Sequence, residues 1–213
     1  MRANPARIAL MVLTATSLAL PVSAYVYPLS STDIRDAYMT AQRNDELTAD
    51  FFASYSHSLP MPEKGPHVAV ITLATPFYQV VESTGKANYH STEAEKDYLG
   101  KPFDFILRVQ VDYTATYPER SQTGPLLNVE PLPDFQHDFK VTLAQDKNAD
   151  IPSKSEQLSL IFFDGSPDLY GVTGGIMEFH YDPSKIDSDT ATVTVDTPDG
   201  QHVETTFNLM KLR

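Results

Sequence analysis

Residues 103–114, FDFILRVQVDYT, constrain the fold more than any other stretch. Phe103, Phe105, Leu107, Val109, Val111 and Tyr113 occupy every second position. Asp104, Arg108, Gln110, Asp112 and Thr114 lie between them, with Ile106 the lone apolar exception. Successive side chains of a strand point to opposite faces, so this period builds one apolar face and one polar face. The stretch reads as a long strand over a hydrophobic core. It names no reaction and no ligand.

The chain beyond it repeats that logic. Phe139, Val141 and Leu143 alternate with Asp138, Lys140 and Thr142. Residues 157–163, QLSLIFF, turn apolar on both faces and read as a central strand. Residues 176–181 and 191–195 follow as strands. The turn signal Thr197-Pro198-Asp199-Gly200 joins the latter to Val203, Thr205, Phe207 and Leu209 as a hairpin. Turn-rich clusters at 146–152, 164–171 and 182–189 separate these runs. Upstream, the β-branched stretch 67–75 is another strand. About seven strands at this spacing predict a mainly β, α+β fold: an antiparallel, Ig-like β-sandwich with flanking N-terminal helices.

Two short helical patterns, or one kinked helix, precede the sandwich. Ser31 or Thr32 offers an N-cap to a helix carrying Ile34, Ala37, Tyr38 and Ala41. Asn44 offers one to a second helix carrying Leu47, Phe51, Phe52 and Tyr55. Thr75-Pro76 opens a third, and Thr92 with Glu95 fits a capping box for a fourth, stopped by Gly100 and Pro102. The expected division is a signal peptide at 1–24, a helical segment at 25–66 and the sandwich at 67–213, with a helical insertion at 76–100. Residues 117–134 hold four prolines and read as an extended strap covered through Leu126, Leu127 and Val129.

The first residues indicate a destination. Arg2 and Arg7 precede an apolar run from Ile8 to Leu20, Pro21 breaks it, and Val22 and Ala24 flank a cut before Tyr25. This is the layout of a cleaved secretory signal, with a run too short to span a bilayer as a helix. The chain has no cysteine, which excludes disulfides, thiolate metal sites and a cysteine nucleophile. No asparagine opens a glycosylation sequon. Together these predict a bacterial periplasmic or extracellular protein. Losing Arg2 and Arg7 with the leader takes the formal charge from −12 to −14. Such a surface repels phosphate backbones and anionic lipid, so neither nucleic acid nor membrane insertion is expected.

Candidate chemistry is sparse. Glu178, His180 and Asp182 alternate along one strand and could offer a divalent-ion site, but a solvated sheet face gives the same pattern. Asp146, Asn148 and Asp150 open like a calcium loop, yet Ile151 and Gln157 stand where the cage needs glycine and glutamate. Asp134, His137 and Asp138 place an imidazole near carboxylates. Ser166 lacks a nucleophile-elbow context, and the run 171–175 is not a phosphate-binding glycine loop. His57, His67, His90 and His202 are isolated in sequence. Aromatics without tryptophan favour core packing over a sugar platform. No catalytic, cofactor or metal residue is assigned.

The expectation is therefore a non-enzymatic, exported binding or envelope-associated sandwich. Another protein would dock through 117–134 or a sheet edge. The rival is a secreted hydrolase or metal-dependent enzyme whose site gathers His137, His180, His202, Asp134, Glu178 and Asp182 across strands.

Overall fold

The computed structural model describes residues 25–63, 67–85, 89–112, 135–145, 149–162 and 172–213. The leader, the proline-rich stretch 117–134, Asp134, Asp146, Asn148, Ser166 and Gly171 lie outside them. In chain order come α1 (Ser31–Arg43), α2 (Glu46–Ser54), β1 (Ser56–Ser58), β2 (His67–Ala74), α3 (Pro76–Thr84), α4 (Ser91–Tyr98) and β3 (Phe105–Asp112). Then follow β4 (Lys140–Gln145), β5 (Ala149–Asp150), β6 (Ser155–Phe162), β7 (Val172–Tyr181), β8 (Thr190–Asp196) and β9 (His202–Asn208).

The strands form two antiparallel sheets, ordered β1-β2-β3-β7-β6 and β5-β4-β8-β9. A single apolar cluster fills the space between them. From the first sheet it takes Ile71, Leu73, Phe105, Leu107, Val109, Val111, Met177 and Tyr181; from the second, Leu143, Val193, Val195 and Phe207. Alternation on β3 is what makes this possible, since its four inward side chains fall on one face. Each large side chain so buried contributes about 1.5–3 kcal/mol. The fold is a mainly β, antiparallel sandwich with N-terminal helices.

Register answers what periodicity left open. β2 and β3 pair directly, with a bulge between Val68 and Val70. β6 lies at a sheet edge among the described residues, not at the centre. Its apolar end mimics a buried strand, but Ser155, Glu156, Gln157 and Ser159 are exposed. Segment 25–66 supplies β1 as well as helices.

Helix starts shift slightly from expectation. Ser30, not Ser31, caps α1, in a reciprocal box with Asp33. Asn44 takes φ 45° as the C-cap of α1, and Asp45 caps α2. Short polar side chains suit both positions, which is why the pattern misassigned them by one residue. Thr75 and Pro76 open α3 as expected. In α4 the box partner is Glu93, whose carboxylate accepts from the His90 N–H at 3.0 Å. The helices make a second core from Leu29, Ile34, Ala37, Phe77, Val80 and Val81. Tyr55 joins the layers, its hydroxyl bonding the Arg213 N–H at 2.8 Å and the Arg213 carbonyl at 3.1 Å.

Candidate functional site

Among the described residues, the outer face of the five-stranded sheet carries two groups of paired charged side chains. On β3, Arg108 points away from the core because its neighbours Leu107 and Val109 point into it. Antiparallel register then sets Arg108 opposite Glu178 of β7 and Ile106 opposite His180. Arg108 Nε donates to Glu178 Oε1 at 2.7 Å, while Nη1 and Nη2 donate to the two oxygens of Glu82 on α3 at 2.7 and 3.0 Å. Its guanidinium lies 5.9 Å from the Tyr78 ring centroid. Burial opposes the charge on Arg108, but the Glu82 and Glu178 carboxylates outweigh it and raise the guanidinium pKa.

A second group centres on Asp104. Its carboxylate accepts from Lys154 Nζ at 2.8 Å and faces His180 Nδ1 at 3.3 Å. The His180 Nε2 is buried without a hydrogen-bond partner among the described residues. At the other end of β3, Asp112 lies 3.8 Å from the His67 ring.

Glu178 and His180 therefore share a face, as their spacing predicts, but each is engaged by a different neighbour. Asp182 turns away to cap residues 183–185, accepting from the Ser184 N–H at 3.0 Å and its hydroxyl at 2.7 Å. His202 sits on the other sheet, bonded to Asp196 at 2.8 Å. His137 and Asp138 are exposed in a short 3-10 turn, and Asp150 falls in β5. His57 packs edge-on against Phe207, and His90 precedes α4. Among the described residues, no three His, Asp or Glu side chains are placed to hold a metal ion. No described helix is long and apolar enough to cross a membrane.

Sequence reasoning missed a cleft of about 250 Å³ between the lead-in and the α4–β3 connection. Tyr27, Leu29, Tyr98, Lys101, Pro102 and Phe103 are among its walls. Phe103 belongs to the alternating run but precedes β3, so it serves this cleft rather than the strand. The clue in sequence was faint: aromatics on both sides of Gly100 and Pro102. The chain matches no family model, no curated protein and no solved structure.

Proposed function

We propose that this is an exported, non-enzymatic binding or envelope-associated sandwich that takes an extended segment of another protein as an added strand on β6. The observation supporting this reading is the edge itself. β6 runs for eight residues and the β9 edge for seven, whereas the edges at β1 and β5 are three and two residues long. Ser155–Leu160 contains one charge and no proline, and the register irregularity of β6 lies beyond it at Ile161/Phe162, so among the described residues this run is open to strand addition. Exposed backbone donors and acceptors would supply affinity, and the partly buried Leu158 and Leu160 specificity. The use of Glu178 as a partner of Arg108, and of Asp104 as a partner of Lys154 and His180, favours binding over acid–base chemistry. The leader-like first 24 residues support export.

The test places a photo-crosslinking residue at Gln157, or at Thr206 on β9 as control, in the protein expressed with its leader. The expected result is a defined envelope-protein adduct from Gln157 alone, on a chain whose N-terminus begins at Tyr25. Amide direction alternates along a strand, so Leu158→Pro and Ser159→Pro act differently. One removes a bond to β7; the other removes only an outward donor. The variant that stays folded should lose the adduct. Equal adducts from both sites, or retention in that variant, would sink the proposal.

A further inference from the structure

We propose that the cleft between residues 27–29 and 98–103 binds a small ring compound carrying one anionic group. The walls fix the ring. Tyr98 and Phe103 stack with centroids 6.0 Å apart and planes inclined by 24°, giving one aromatic wall beside Tyr27 and Leu29. A volume of about 250 Å³ suits one substituted ring.

Charge selects the substituent. Among the described residues, Lys101 is the only charged side chain in the lining and no carboxylate shares it. Lys101 makes no ion pair among the described residues, in a chain with 28 acidic and 16 basic side chains. The nearby ammonium of Lys154 is held by Asp104 at 2.8 Å, leaving Lys101 to meet the ligand. An anion drawn to this cleft gains a partner without displacing one.

The walls are also set in advance. Pro28 and Pro102 each fix a backbone dihedral, and Gly100 turns the chain at φ 70°. The lead-in is tied down by the buried Tyr25 hydroxyl, which donates to the Pro183 carbonyl at 2.7 Å. Little ordering is left for the ligand to impose. Two sources share the required chemistry: an acidic sugar and an aromatic acid.

Calorimetric titration of the full chain with D-glucuronate, 4-hydroxybenzoate, methyl glucoside and benzyl alcohol separates them. At least one anionic ring should saturate with a Kd of about 1 mM, and the neutral rings should bind more weakly. Which anion binds identifies the source. Lys101→Met should weaken it about three- to five-fold and abolish its salt dependence. Tyr98→Ser should remove saturation below about 10 mM. Neutral rings matching the anions, an unaffected Lys101→Met, or no anionic ring saturating by about 10 mM each overturn the proposal. Should Tyr98→Ser unfold, the exposed Lys101 variant decides alone.

Discussion

Replacing Arg108 with methionine tests whether the charged outer face holds the sheet to its helices. The Arg108 and Glu178 side chains are 23% and 22% exposed, and Glu82 is 41% exposed. A hydrogen bond to a charged group contributes about 1.5–3 kcal/mol when shielded. An exposed ion pair contributes about 0.2–1 kcal/mol. The bond to Glu178 belongs to the first class, while the contacts with Glu82 sit near the second. Methionine keeps most of the stem's volume, so lost packing over Tyr78 is minor. The sum is a loss of about 2–4 kcal/mol, with part of it arising because Glu178 is left without its cation.

Urea unfolding, followed by far-UV circular dichroism and tyrosine fluorescence, measures this directly. With a slope of about 2 kcal/mol per molar, the midpoint should fall by about 1–2 M. Arg43→Met provides the contrast, because that guanidinium and Asp45 are 49% and 45% exposed. Its cost should stay below about 0.5 kcal/mol. Adding Glu178→Gln to Arg108→Met should cost less than the two separate losses together, since they remove one interaction. If Arg108→Met were no worse than Arg43→Met, the reasoning from partial burial would be refuted.

Two further outcomes follow from backbone contact and from capping. A β-carbon at Gly174 would sit 2.8 Å from the Val111 carbonyl oxygen, so Gly174→Ala should cost about 1–3 kcal/mol by urea denaturation. Gly85→Ala, at φ −68° with no neighbour nearer than 3.6 Å, should be neutral or slightly stabilising; equal costs would refute the contact argument. The Ser184 hydroxyl and N–H hold the Asp182 carboxyl below its ordinary value, and the Thr197 hydroxyl followed by Gln201 does the same for Asp199. A depressed folded-state value adds stability above the unfolded-state value of about 4 and loses it as pH falls through the folded one. Urea midpoints should therefore drop below about pH 4. The double variant Asp182→Asn, Asp199→Asn should show a shallower drop, and an unchanged acid limb would count against these caps.

The limits of sequence legibility follow from the same geometry. Alternation of Phe105, Leu107, Val109 and Val111 fixes which face each side chain takes, and the structure keeps all four inside. The Thr197–Gly200 turn fixes the β8–β9 hairpin because few residues separate its strands, and Gly200 adopts the φ of 85° that the turn requires. Alternation does not say which strand lies alongside. Arg108 and Glu178 are 70 residues apart, and only the β3–β7 register makes them neighbours. The same gap explains the misplacement of β6. Its apolar end signals burial, but edge position depends on pairing partners that local composition does not encode. The cleft is less legible still, because residues 27–29 and 98–103 meet through the helical layer rather than through any repeating pattern. For this chain, local period assigns faces, whereas distant register decides whether a charged side chain is a reactive group or half of an ion pair. Glu178 looked free as a candidate ligand in sequence, and its place opposite Arg108 makes it part of the bond between sheet and helix.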